Sequence, residues 1–285
     1  MTFEPDFIRY LAAKKTIDDR ALNKDVWQQL QKVIPDQPDI LEIGSGIGTM
    51  VERLAERNVV KNGTYTAIDN QAANIAKAHS RLNHLPPALS LNLETIDLFD
   101  FITRESGNRA WDLLIAHAFL DLVDIATTLP GLISLIKPGG LCYFTLNFDG
   151  LTILEPGHDP QLDALIEQLY HQTMDERVIN GHISGDSHSG RRLFEHMRRN
   201  KIDITAAGSS DWVVFAGKDG YPADEAYFLH FIIDTIYQAL REHPQLETAI
   251  FDAWIARRHT QIEAGELVYI AHQIDILGKK DSLLN

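Results

Sequence analysis

The sequence predicts an α/β protein built on a doubly wound, mostly parallel sheet of seven strands with helical insertions. Three observations carry that expectation. Short apolar runs recur at Asp39–Ile43, Tyr65–Ile68, Leu89–Leu93, Asp112–Ala116 and Leu141–Leu146, and segments with helical periodicity lie between most of them. The first run feeds a turn with three alternate glycines, Gly44, Gly46 and Gly48, in ILEIGSGIGTM. The chain has 285 residues, 45% of them hydrophobic and 23% charged, enough for a buried core in one large or two ordinary domains.

The elements follow in order. Residues 3–34 read as helical, with Trp27, Leu30, Val33 and Ile34 at helical spacing before Pro35 and Pro38 stop the pattern. Met50, Val51 and Leu54 mark a helix over Gly48–Arg57, and Ala72–Leu82 forms the next before Pro86 and Pro87. Ile125–Ile136 is a helix closed by Pro138, Gly139 and Gly140. Beyond Asn147 come a helix around Leu162–Leu169, a loop rich in Gly, Ser and His, and a helix over Gly190–Asn200. Asp211–Ala216 reads as a strand, Asp224–Leu240 as an amphipathic helix, the stretch from Pro244 to Gly265 as another, and Leu267–Leu277 as the last strand. Residues 1–36 are expected to form a helical cap on a domain of residues 37–285. Insertions are expected at 151–190 (a substrate loop and helix) and 222–265 (a lid or dimer surface).

Strands joined through helices imply a parallel sheet covered on both faces. Ligands in such sheets bind beyond the carboxyl ends of the strands. Residues just after Ile43, Ile68, Leu93, Ala116 and Leu146 are therefore expected to share one crevice.

Composition narrows the function. The formal net charge of −14 disfavours a nucleic acid as partner, because such binding needs a basic footprint. The single cysteine, Cys142, excludes an intrachain disulfide and reads as a small buried hydrophobe. The N-terminus lacks the basic and apolar pattern of a signal peptide, and no apolar run has the length of a membrane span. The expectation is a soluble cytoplasmic protein, with a homodimer through the second insertion as an open option.

The glycine turn has two main uses. It brings backbone N–H groups and a helix N-terminus to a ligand. The dinucleotide fingerprint wants its third glycine one residue later than Gly48, and the phosphate loop wants a Gly-Lys-Ser/Thr ending that is absent. LEIGSGIG instead resembles the first motif of the class I S-adenosylmethionine-dependent methyltransferases. The resemblance continues in order through TAIDN (66–70), LNLETID (91–97), WDLLIAHAFLDLVD (111–124) and LISLIKPGGLCYFTL (132–146), and covers residues 37–147.

That resemblance implies S-adenosyl-L-methionine as cofactor and S-adenosyl-L-homocysteine as product. It implies donor-binding roles for Glu42, Gly44, Ser45, Gly46, Asp69, Asn70, Glu94, Thr95 and His117. Asp69 would accept from both ribose hydroxyls, and Glu94, with Asp97 as the alternative, would meet the adenine amino group. Both acids have ordinary readings too, as a helix cap and a solvated loop acid.

On the acceptor side, His117 directly follows the fourth strand and is a candidate general base, a cofactor contact or a packed histidine. His188 is the second candidate catalytic residue. Asp121, Asn147, Arg191, Arg192, Tyr10 and Arg20 are candidates for substrate binding, Arg191 or Arg192 as a clamp on a carboxylate, and Tyr10 and Arg20 as residues that close the site or hold the cofactor carboxylate. Tyr10, Lys14 and Arg20 lie in a segment that in this family often folds over the cofactor. His182, Asp186 and His188 have chelating residue types but no fourth ligand at a recognisable spacing, so no metal site is expected. No Asn/Asp-Pro-Pro-Tyr/Phe tetrad occurs at 116–121, which argues further against a nucleic-acid acceptor. The function expected is methyl transfer to O, N or C of a small molecule by in-line displacement. The alternative is a non-catalytic S-adenosylmethionine-binding sensor or assembly subunit.

Overall fold

The computed structural model describes residues 3–179 and 182–282, the side chain of His182 excepted. Helix α1 (Phe7–Ala21) starts at Asp6, whose carboxylate accepts from the amides of Ile8 and Arg9. Helix α2 (Lys24–Val33) starts the same way at Asn23. The expected helical stretch over 3–34 is thus two helices. The chain turns between them because Asn23 caps the second, while its own amide donates to the Asp275 carboxylate at 2.8 Å.

The parallel core then runs β1 (Asp39–Ile43), α3 (Thr49–Glu56), β2 (Gly63–Asp69), α4 (Ala72–Arg81), β3 (Leu89–Thr95), α5 (Leu98–Glu105), β4 (Trp111–His117), a short 3-10 turn (Leu120–Leu122), α6 (Ile125–Ser134) and β5 (Ile136–Glu155). Next come α7 (Pro160–Asp175), the two-residue strands β6 (Val178–Ile179) and β7 (His182–Ile183), α8 (Ser189–Arg199), β8 (Ile202–Ser209) and β9 (Trp212–Val214). Helices α9 (Glu225–Leu240) and α10 (Thr248–Glu263) precede the last strand, β10 (Val268–Lys280).

The sheet order is β3-β2-β1-β4-β5-β10-β8, with β9 also paired to β10. Strands β1 to β5 are mutually parallel, and β10 runs antiparallel to both β5 and β8. Their five carboxyl ends therefore lie along one edge, as doubly wound sheets require.

Alternation builds both faces. Ile40, Leu113 and Ile115 join one apolar cluster with α1–α4, α7, α9 and α10, while Leu41, Ile43, Leu114 and Ala116 join a second with α5, α6 and α8. Each fully buried side chain of this kind, such as Leu113 or Phe228, contributes about 1.5–3 kcal/mol.

Three expectations are corrected. The sheet holds eight strands rather than seven, because Ile202–Ser209 forms β8 and the run expected at Asp211–Ala216 shortens to β9. Strand β8 escapes a hydropathy reading because its inward residues after Ile202 are only half-buried and mostly small (Ile204, Ala206, Gly208), while Asp203, Thr205, Ala207 and Ser209 are exposed. Helix α5 was also missed. Strand β5 continues past Leu146, the strand end expected, to Glu155, paired with β10 as far as Val268. The bend lies at Leu146, which has φ +54°, and the Asp275 carboxylate holds its amide at 2.8 Å.

Candidate active site

The glycine turn lies at the carboxyl end of β1. Gly44 has φ +62°, and a Cβ there would stand 2.2 Å from the Phe119 ring, so only glycine fits. Gly46 has φ +53° and lends its N–H to an Asp69 oxygen at 2.8 Å. The Ser45 N–H donates to the Ile68 carbonyl at 2.9 Å, while its buried hydroxyl has no partner. Leu11 of α1 lies 3.4 Å from where a Gly46 Cβ would stand, so α1 crosses over the turn.

Two acids flank the turn in different states. Glu42 is buried on β1 and accepts from the Tyr65 hydroxyl at 2.8 Å; burial pushes its carboxyl up to about 8. Asp69, at the end of β2, accepts from the amides of Gly46 and Gln71, each at 2.8 Å, and from the Asn74 side chain at 3.1 Å. Those donors fix its carboxylate at the strand tip. Asn70 follows it, exposed. Thr95 pairs with Asp69 in register and is also exposed. Glu94, one residue earlier, is held by both Arg104 terminal nitrogens, with Arg104 Nη2 at 2.9 Å. Asp97, the alternative, accepts from the Phe99 amide as the cap of α5.

His117 closes β4 inside a buried polar cluster. Its Nδ1 is 2.7 Å from the Thr145 hydroxyl and its Nε2 is 3.1 Å from Asp18 of α1. Asp18 also accepts from Lys14 Nζ at 2.7 Å and from the Trp212 indole at 2.9 Å. Lys14 and the hydrogen bond of His117 hold the Asp18 carboxyl below its usual range against its burial. Burial lowers His117 to about 4, despite its bond to Asp18, so the ring is neutral at neutral pH. With both nitrogens engaged, its evident work is to hold α1 across the strand ends. A general base would need one of them free.

The acceptor candidates divide. Tyr10 is stacked on Phe231 (4.1 Å between centroids) and on Phe228 (5.5 Å), above the turn. Asp121 lies in the 3-10 turn after β4; its Oδ1 is buried without a hydrogen-bond partner, and burial raises its carboxyl. Asn147 is fully buried and spends its amide N–H on the Ile274 carbonyl at 2.8 Å, within the β5–β10 pair. Arg191 is bound to Asp149 at 2.8 Å, Arg192 to Asp186 at 2.8 Å, and Arg20 to Glu225 through Nη2 at 2.8 Å. Arg191 and Arg192, expected to clamp a substrate carboxylate, and Arg20 are thus committed to protein acids. His188 precedes α8, with Nδ1 2.8 Å from the Ser187 hydroxyl and its ring against Gly150, away from the glycine turn in sequence and in contacts.

Among the described residues, Asp175, Asp186 and His188 form one group with metal-ligand atoms close together, and Glu52, Glu56 and His84 form another. The first group is internally bonded: Ser187 donates to Asp175 from both N and Oγ, and Arg192 engages Asp186. The backbone of His182 is in β7, and its side chain lies outside the described residues.

Sequence reasoning missed Asp18, Thr145, Trp212 and Phe119. The spacing of Lys14 and Asp18, one helical turn apart, was the only local signal; the other contacts span 28 to 194 residues of chain.

The glycine turn and the acid at the end of β2 lie together at the carboxyl edge of a doubly wound sheet, where ligands bind in such folds. Residues 41–142 match the family model described as a methyltransferase domain. That segment, β1 to the middle of β5, carries the glycine turn and Asp69.

Among solved structures, a Bacillus halodurans protein assigned as a methyltransferase matches with TM-score 0.52 at 9% identity, covering 91% of this chain and 100% of that one. A Galdieria sulphuraria protein assigned as a sarcosine dimethylglycine methyltransferase matches with TM-score 0.48 at 14% identity, covering 98% and 92%. The geranyl diphosphate C-methyltransferase of Streptomyces coelicolor A3(2), solved with Mg2+, geranyl diphosphate and S-adenosyl-L-homocysteine, gives 0.46 at 11%, covering 89% and 77%. At these identities the likeness is one of fold. No curated protein sequence matches the chain.

Proposed function

We propose that this enzyme methylates a small-molecule acceptor held between the glycine turn and the roof made by α1, α7 and α9. The observation that carries the reading is the crossing of α1 over Gly46 while Asp18 on the same helix binds His117 at the end of β4. A roof fixed directly above the donor turn suits a compact acceptor and leaves little room for a duplex. The net charge of −14 agrees with that. Among the described residues no helix is long and apolar enough to cross a membrane.

The residues present fit the donor. Gly44 and Gly46 have no side chain where a ligand must approach the backbone, the Ser45 hydroxyl is buried and unpaired, and the Asp69 carboxylate can accept from paired hydroxyls. When bound, S-adenosylmethionine supplies a methyl group on a sulfonium. The chain itself orients and excludes water: Asp69 and the turn hold the donor, and α1 seals the site through Asp18. Positioning of this kind supplies much of the barrier reduction in a displacement. Domain boundaries, the assignment of 222–265 as lid or dimer surface, and the choice among O, N and C belong to the same proposal.

Calorimetric titration with S-adenosylhomocysteine tests it. Wild type is expected to bind near micromolar strength, and Asp69→Ala to weaken binding by roughly 30-fold or more. Indifference of Asp69→Ala would remove Asp69 from the donor site.

A further inference from the structure

Two left-handed residues mark the ends of the central strands. Ala118 (φ +50°) follows β4 and Leu146 (φ +54°) lies in β5. The residues just before them, His117 and Thr145, face each other in register. The Ala118 amide donates to the Thr145 carbonyl at 2.8 Å, so the two bends are joined. Among the described residues the other non-glycines with positive φ are Asn58, Lys201 and Ala223. Asn58 and Lys201 follow α3 and α8, where a left-handed residue commonly ends a helix, and Ala223 lies in the loop before α9. A left-handed leucine within a strand is costly. It persists only where neighbours hold it, and such strain gathers at functional sites.

One carboxylate holds the Leu146 bend. Asp275 of β10 is fully buried, and its Oδ1 accepts from the Leu146 amide at 2.8 Å. Its Oδ2 accepts from the Asn23 amide, also at 2.8 Å. Asn23 stands two residues beyond α1, at the corner where the chain turns into α2. Asp275 therefore ties the end of α1 to β5. A second tie runs from Asp18 of α1 to His117 Nε2 at 3.1 Å, and from His117 Nδ1 to the Thr145 hydroxyl at 2.7 Å. These two fastenings of α1 end on adjacent residues of β5, Thr145 and Leu146. Leu11, on the same helix, covers Gly46. Burial pushes the Asp275 carboxyl up to about 6, so at neutral pH it is ionised and accepts from both amides as a charged group.

We propose that Asp275 is a positioning residue for the donor site: by fixing the Leu146 bend and the α1–α2 corner together, it sets where α1 lies over the glycine turn. A helix held only by its apolar face is free to shift along the sheet, because apolar contact is non-directional. Hydrogen bonds to a charged acceptor at fixed points on one strand remove that freedom. Only the consequence for the donor rests on the small-molecule reading; the fastening itself does not.

The test compares Asp275→Asn with Phe101→Leu in the full chain. Asp275→Asn keeps the shape but turns an amide N–H toward one of the two donors. Phe101 is a buried residue of α5 packed on Trp111, 5.7 Å between centroids, in the other apolar cluster, so Phe101→Leu lowers the unfolding midpoint without touching α1. In Asp275→Asn, amide exchange at Leu146 and along Phe7–Ala21 should be about tenfold faster than in Phe101→Leu at matched stability. Affinity for S-adenosylhomocysteine, measured by calorimetry, should fall by about tenfold in Asp275→Asn and stay at the wild-type value in Phe101→Leu.

A second pair of variants serves if Asp275→Asn does not fold. Asn23 has φ −62° and Leu22 before it has ψ 126°, both compatible with proline at 23. Asn23→Ala and Asn23→Pro both lose the side-chain cap of α2, but only Asn23→Pro loses the amide bound to Asp275. Asn23→Pro should therefore show the faster exchange in α1 and the weaker donor binding of the two. Equal behaviour of the Asn23 pair, or changes in Asp275→Asn that Phe101→Leu reproduces, overturns the proposal. Faster local exchange with undiminished affinity for S-adenosylhomocysteine overturns it too, since Asp275 would then only fasten the fold. If wild type does not bind S-adenosylhomocysteine, the donor-site reading fails, and the exchange comparison still decides whether Asp275 holds α1.

Discussion

The donor half and the acceptor half of the proposed site are built differently. The donor half is three strand ends and one turn, β1, β2, β4 and Gly44–Gly46, and its key contact, Asp69 to Gly46, spans 23 residues. The acceptor half draws on α1, the 3-10 turn, α7, α9 and β10, and Trp212 reaches Asp18 across 194 residues. The first half is a local feature of a βαβ unit, whereas the second exists only once the insertions have packed. Damage should therefore be confined to function in the donor half and should spread into stability in the acceptor half.

The largest expected effect is at Gly44. Gly44→Ala adds a Cβ against Phe119 at a positive φ, so donor affinity should fall by about 100-fold or more, with the unfolding midpoint moving far less. Titration with S-adenosylhomocysteine beside a denaturant melt separates the two. A large stability loss with donor affinity intact would invert the comparison.

Asp18→Asn comes next. It takes the negative charge from Lys14, His117 and Trp212 together, and breaking a buried network of this kind costs about 3–5 kcal/mol. Hydrogen exchange should accelerate across α1 ahead of β1 and β4. Unchanged protection over Phe7–Ala21 would mean that α1 is held by its apolar face alone.

A pH series sharpens the contrast. His117 is lowered to about 4 from an ordinary value near 6.5. The unfolded chain binds more protons between those values, so this contribution to stability is complete above about 6.5 and is lost as pH falls toward 4. Glu42 has the opposite sign: raised to about 8, it favours the folded state below its usual carboxylate range and loses that contribution as pH rises toward 8. The difference between wild-type and His117→Gln stability curves should be concentrated between pH 4 and 6.5. A flat difference there would show that the ring is charged in the folded protein.

The smallest effect belongs to Arg191. Its pair with Asp149 is mostly exposed on the arginine side, so Arg191→Ala should cost no more than about 1 kcal/mol and leave donor binding unchanged. A large loss of turnover in this variant would return Arg191 to the substrate site.

Much of the fold was legible. Ile40–Ile43, Tyr65–Ile68 and Leu113–Ala116 announce buried parallel strands because both of their faces are apolar. Strand β8 was not legible, since an edge strand with Ala206 and Gly208 at inward positions shows only a weak apolar stripe. Leu146 was read as a strand end, yet β5 carries on because Asp275, from β10, bonds its amide through the bend.

By itself the sequence determined the glycine turn, the acid at the end of β2 and their place at the strand ends, because positive φ and strand periodicity are local properties. Through the family those motifs resemble, it also pointed to a class of cofactor. Only the tertiary structure decided which charges are free. Arg20 and Arg191 each acquired an acid from a distant element, His117 lost both nitrogens to Asp18 and Thr145, and Asp121 Oδ1 was left buried without a hydrogen-bond partner. Pairing of charges depends on distances of a few ångströms between remote segments, and no spacing along the chain encodes those.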